Sequence, residues 1–266
     1  MDLATKQPVP QQIGKVSDLE WGADNDVLYY VTENESKRSD KLHRYTISTG
    51  RHELLREEKD ELYNIDVSKS RDGRWLFSTA ASKVTSDVHA LRADDASGAF
   101  RILLPREENI RYFASHHDGQ FYFVTNKDAK NFRIVRAPVA RPAAWTEFVA
   151  HDPAIKIEGL EVFARYFVVE ERQDGLPHLR SIEIATGKSS RLAMPEAAYE
   201  VSVTSNWEYD TDDVRFSYQS MLRPSSTYVT NLATGERRLL KQQAVLGGFD
   251  PANYRAERVW AVARHG

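Results

Sequence analysis

The sequence predicts an all-β fold, a β-propeller of about five four-stranded blades. Two repeats running in phase carry that expectation. Short β-branched or aromatic runs begin at Val27, Trp75, Phe121, Tyr166 and Val214, at intervals of 48, 46, 45 and 48 residues. A Thr-Gly or Ser-Gly pair follows most of them, at Thr49-Gly50, Ser97-Gly98, Thr186-Gly187 and Thr234-Gly235, each leading into a polar-apolar run. Long helical periodicity is nearly absent. Strands at 8–12-residue spacing indicate a sandwich, barrel or propeller, and about 45 residues holding four strands selects the propeller.

Taken in order, residues 1–12 are expected to be the remnant outer strand of a preceding blade, because Leu3-Ala4-Thr5 echoes Leu232-Ala233-Thr234. Five blades follow over about 13–59, 60–108, 109–153, 154–196 and 197–243. The first reads VSDLEW, VLYYVT, KLHRYTI and HELLRE. Asp24-Asn25-Asp26, Asp72-Gly73, Asp118-Gly119 and Asp212-Asp213 precede the second strands. Asn and Gly tolerate positive φ and Asp bonds its own backbone, so these read as hairpin turns. In the third period Arg141-Pro142 replaces the Thr-Gly pair. The second strand of each blade, covered on both faces, should be nearly continuously apolar, as VLYYV, WLFSTA, FYFV and YFVV are. The outer strand should alternate, as in HELLREE. Residues 251–266 are expected to hold a strand over Arg258–Ala263 that leads into a further domain.

Composition narrows function mainly by exclusion. The 266 residues carry a net charge of −3, which points to neither nucleic acid nor an anionic membrane. With no cysteine there is no disulfide and no thiolate chemistry. No apolar run has signal-peptide or membrane-helix length, so a cytoplasmic location is expected. No two of the 13 glycines stand four apart, so the G-x-S-x-G nucleophile elbow is absent from the sequence. The phosphate-loop and dinucleotide glycine motifs are absent as well.

None of the eight histidines is paired at H-x-x-x-H spacing. His116-His117 is the one cluster, and strand alternation sends the two side chains to opposite faces, so they read as polar residues at a hairpin turn. Paired carboxylates such as Glu57-Glu58 and Glu170-Glu171 read as solvated charge. No metal, cofactor or catalytic residue is expected. The loops after the second strands, at 33–38, 82–86, 126–131, 170–174 and 219–223, fall in register. Lys127, Asp128, Lys130, Glu170, Glu171, Arg172 and Arg223 on them form a candidate domain-docking rim.

With the blades placed, TGERRLLKQQAVLGGFDPANYRAERVWAVARHG (234–266) resembles the end of the propeller in the oligopeptidase B branch of the prolyl oligopeptidase family of serine peptidases. REEKDELYNIDVSKSRDGRW (56–75), NKDAKNFRIV (126–135) and IEGL (157–160) leading into VVEERQDGLPHLR are similar to the same family. The resemblance implies a seven-bladed propeller, of which this chain holds the third to seventh blades. It implies an α/β-hydrolase partner domain whose Ser-Asp-His triad cleaves short peptides after Arg or Lys. The propeller would gate peptides by size. No triad position falls on this sequence, and His265 is not a catalytic histidine. The chain alone should lack peptidase activity, and blade faces left open should favour self-association. The alternative is a free-standing propeller that binds a protein or peptide.

Overall fold

The computed structural model describes residue 6 and residues 13–264. The expected remnant strand over 1–12 and His265 therefore lie outside the described residues, apart from Lys6. Twenty strands form five four-stranded antiparallel sheets, each in chain order. The first holds β1 (Val16–Trp21), β2 (Val27–Glu33), β3 (Ser39–Thr46) and β4 (Arg51–Glu57). The second holds β5 (Asn64–Lys69), β6 (Trp75–Ala81), β7 (Ser86–Arg92) and β8 (Arg101–Leu104). The third holds β9 (Tyr112–His117), β10 (Gln120–Thr125), β11 (Arg133–Pro138) and β12 (Thr146–Val149). The fourth holds β13 (Ile155–Val162), β14 (Tyr166–Gln173), β15 (Leu176–Glu183) and β16 (Ser189–Arg191). The fifth holds β17 (Tyr199–Val203), β18 (Asp213–Ser220), β19 (Ser226–Asn231) and β20 (Arg237–Gln242). The chain divides into two units, Met1–His116 and His117–Gly266.

Local chemistry closes the hairpins. Between β1 and β2, the Asp24 carboxylate accepts from the backbone N–H groups of Asp26 and Val27 at 3.1 and 3.0 Å. Between β9 and β10, Asp118 and Gly119 both take positive φ, 43° and 73°, as a two-residue turn of the primed type requires. The Thr-Gly pairs put glycine at positive φ, 77° at Gly235 for example. Gly98 differs: a Cβ there would stand 2.7 Å from Leu91 Cδ1 and against the exposed Asp95 carboxylate, so a larger residue would displace these side chains.

In the first unit, alternate β2 residues Tyr29 and Val31 pack with Leu42, Ile65, Val67 and Leu76, all buried. In the second unit β14 is covered on both faces. Phe167 and Val169 pack with Tyr122, Val124 and Ile134 of the third sheet. Tyr166 and Val168 pack with Val214, Phe216 and Tyr218 of the fifth. Each fully buried side chain of this size contributes about 1.5–3 kcal/mol. β18 differs: Val214, Phe216 and Tyr218 are buried, while Arg215 and Gln219 are exposed. This alternation is what a strand covered on one face shows.

The expected strand over 258–263 does not form. The C-terminal stretch has one 3-10 turn, Pro251–Asn253, and no strand over residues 254–263. Val259 and Val262 are exposed at 82% and 91%. Alternating apolar residues give a strand only where a neighbouring strand satisfies their backbone groups, and none among the described residues pairs with them.

Candidate functional site

The expected rim residues differ in what holds them. Asn126–Phe132 link β10 to β11 through two turns, with Ala129 N–H on Asn126 O and Phe132 N–H on Ala129 O. Asn131 ties this loop to the fourth sheet: its carboxamide donates to Pro153 O at 2.7 Å, and its carbonyl accepts from Ile157 N–H at 2.9 Å. The loop is thus a fixed platform. Lys127 reaches over the Trp145 ring, 5.8 Å from its centroid. Asp128 is exposed at a positive φ of 54° and faces Arg133 at 3.6 Å. Lys130 is exposed.

Glu170, Glu171 and Arg172 do not belong to a loop. β14 runs through all three, and the connection to β15 is only Asp174-Gly175. The half-buried Glu170 carboxylate accepts from Val203 N–H of β17 at 3.1 Å. Burial, reinforced by the nearby Glu158 carboxylate, raises its pKa. Glu171 is 2% exposed and pairs with Arg180 at 2.6 Å and Arg191 at 3.4 Å. These two carboxylates tie strands and sheets together instead of meeting solvent. Arg172 bonds Glu158 at 3.1 Å and donates to Gly175 O. Arg223 donates to Glu196 at 2.6 Å. The pair His116-His117 is likewise buried. The alternation holds, with His116 Nδ1 2.6 Å from Asp72 and His117 Nδ1 2.7 Å from the Tyr209 hydroxyl. Both serve the interior, not a turn surface.

Sequence reading missed a carboxylate arrangement between the first two sheets, because its members are distant in sequence. Asp18 of β1 accepts from Val67 N–H of β5 at 3.0 Å. Its neighbour Asp66 is exposed on β5, directly across from Thr79 of β6. Loss of surrounding water, and then the Asp18 carboxylate, push its carboxyl up to about 6. A raised pKa costs folding free energy above it and nothing below the unfolded value. Asp66→Asn should therefore stabilise the protein at pH 8 and leave it unchanged near pH 3.5. Solvent access holds the gain to about 1 kcal/mol. Urea denaturation at the two pH values measures it, and equal stability of the two proteins at pH 8 would refute it.

Among the described residues no group of three His, Asp or Glu side chains is placed to hold a metal. No described helix is long and apolar enough to cross a membrane.

The family "Prolyl oligopeptidase, N-terminal beta-propeller domain" matches residues 1–243. The chain belongs to this family. Its five sheets are propeller blades. Over its whole length it is 36% identical to dipeptidyl aminopeptidase BI of Pseudoxanthomonas mexicana, of which it covers 37%. It is 28% identical to Protease 2 of Moraxella lacunata, covering 39% of that protein. Its fold is similar to oligopeptidase B from Leishmania major, with a TM-score of 0.88 and 26% identity over 98% of this chain and 39% of that one. The chain thus spans under two-fifths of the length of each of these relatives. The prolyl oligopeptidase family member is a partial propeller with respect to them.

Proposed function

We propose that this chain is the non-catalytic propeller segment of an oligopeptidase B-like serine peptidase, working in the cytoplasm. Its tasks there are to dock an α/β-hydrolase domain and to admit short peptides while excluding folded ones. The match to the N-terminal propeller domain over 1–243 carries the reading. Lack of a G-x-S-x-G in the sequence agrees with it. The docking residues we propose are Lys127, Asp128, Lys130, Arg172 and Arg223, on loops and strand ends that rigid sheets hold in place. Glu170 and Glu171 support those elements from inside.

Two measurements test this. The purified chain should not turn over a fluorogenic peptide ending in Arg or Lys; turnover that survives repurification would overturn the reading. Grafted in place of the matching segment of Leishmania major oligopeptidase B, it should keep cleavage of short peptides and exclusion of folded proteins. A chimera that degrades a folded protein would count against gating.

Open apolar surface supports self-association of the isolated chain. Leu19 and Trp21 of β1, and Leu54 of β4, are exposed in the first sheet. In the second unit Trp207 is 86% exposed and shares a surface pocket with Leu240 of β20, itself about half exposed. Light scattering on a sizing column should give a mass of at least twice 30.4 kDa. A stable monomer at micromolar concentration would refute it.

A further inference from the structure

The third sheet carries a cleft of mixed polar and apolar lining at the end opposite the 126–132 loop. Its volume is about 570 Å³, and its wall includes His117, Asp118, Tyr122, Arg136, Arg141 and Ile184. Two features set it apart from ordinary surface. Neither Arg136 nor Arg141 has a carboxylate partner among the described residues, although most arginines here are paired. The cleft is also held in shape by its own backbone. Val139 N–H bonds Gly119 O at 3.0 Å and joins the Asp118-Gly119 turn to the β11–β12 loop. That loop is closed by Arg141 N–H on Pro138 O and by Ala144 N–H on Arg141 O. Arg136 stands directly across from Tyr122 on the paired strand, with its guanidinium 5.9 Å from the Phe148 ring centroid. Buried Tyr122 and His117, the latter fixed by Tyr209, make a firm back wall.

The fixed charges decide the ligand class. Two guanidinium groups and one carboxylate put both signs of charge on one wall, which suits a ligand that itself carries both. Guanidinium forks match carboxylates in a planar, bidentate way. Asp118 offers the opposite charge on the same wall, and Tyr122 with Ile184 offer apolar surface. We propose that this cleft binds an α-carboxylate with a nearby ammonium, as in a free amino acid or a short unblocked peptide. The carboxylate would meet Arg136 and Arg141, and the ammonium would meet Asp118. The site stands apart from the docking residues, so its failure would leave the peptidase reading intact.

Shifts of the backbone amide NMR signals of Asp118, Gly119 and Val139, which close the cleft, report occupancy. Calorimetry gives the affinities alongside. Ala-Ala, acetyl-Ala-Ala and alanine should each saturate the full chain, and acetyl-Ala-Ala amide should bind about tenfold more weakly or not at all. A peptide source predicts Ala-Ala tighter than alanine; an amino-acid source predicts the reverse. Arg136→Ala and Arg141→Ala should each weaken acetyl-Ala-Ala by about tenfold. Asp118→Asn should weaken Ala-Ala and leave acetyl-Ala-Ala unchanged. Both arginines are exposed, so the variants should melt with the parent. Equal binding of acid and amide, no saturation by about 10 mM peptide, or tighter binding of inorganic phosphate would each overturn the proposal.

Discussion

Replacing Asp87 with alanine should cost the protein about 3–5 kcal/mol, the largest loss expected from any single substitution in the first unit. Asp87 lies on β7, and its side chain is 6% exposed. Arg56 reaches it from β4 of the neighbouring sheet and also donates to Ser78 O at 2.9 Å. Arg106 gives it two bonds, at 3.0 Å from Nε and 2.7 Å from a terminal nitrogen. The same guanidinium pairs with Glu58 and lies 3.6 Å from the Tyr63 ring centroid. One carboxylate thus closes a network between two sheets. Arg56, itself only 13% exposed, would be left charged and without its carboxylate. At about 2–4 °C per kcal/mol for a chain of this size, the melting temperature should fall by about 10 °C. A fall under 2 °C would mean that the network is worth little.

The same carboxylate gives a pH signature. Burial alone would raise its pKa, but His89, Arg56 and Arg106 together hold it down at about 2. A depressed folded pKa stabilises fully above the unfolded value near 3.8 and loses that stability as pH falls through about 2. The gap between parent and Asp87→Ala should therefore be widest at neutral pH. It should shrink between pH 4 and pH 2.

The strands were legible because two signals coincide in them: period-two patterning and turn chemistry at a regular interval. YFVVEERQ appears as β14 because sheets on both sides demand apolar residues, and VLYYVTE as β2 because its Val27, Tyr29 and Val31 meet the second sheet. What escaped was whatever depends on three-dimensional neighbours. Glu170-Glu171 has the composition of a solvated pair, and nothing local says that Arg180 and Arg191 lie beside it. Alternation does say that the two point in opposite directions, and they do. The same holds for His116 and His117: their directions were readable, their burial was not, since Asp72 and Tyr209 lie 44 and 92 residues away. The 258–263 stretch shows the converse failure. Propensity was present there, but no strand among the described residues partners it. Arg136, on β11, and Arg141, in the loop after it, gave no signal as a pair, since an arginine is ordinary until its carboxylates are counted.

Glu171 allows the cost of burying charge to be separated from the worth of an ion pair. Glu171→Ala should lose about 3 kcal/mol, from an unfilled space and two arginines without their carboxylate. The arginines are less confined than Arg56: Arg180 is 22% exposed and Arg191 36%. Both can turn toward water once released. An amide at position 171 presents N–H donors to guanidinium donors and leaves a buried polar group unsatisfied, so Glu171→Gln should lose about 2 kcal/mol. Leucine has nothing to satisfy and fills the space against its β14 and β15 neighbours. Glu171→Leu should lose only about 1 kcal/mol, less than the conservative amide. Urea denaturation of the three variants at neutral pH fixes the order. If leucine proves the worst, the pair itself stabilises the fourth sheet, and its arginines do not gain by returning to water. If the amide proves worse than leucine, desolvation governs the site, and Glu171 serves chiefly to match the two guanidinium groups that β15 and β16 place against β14.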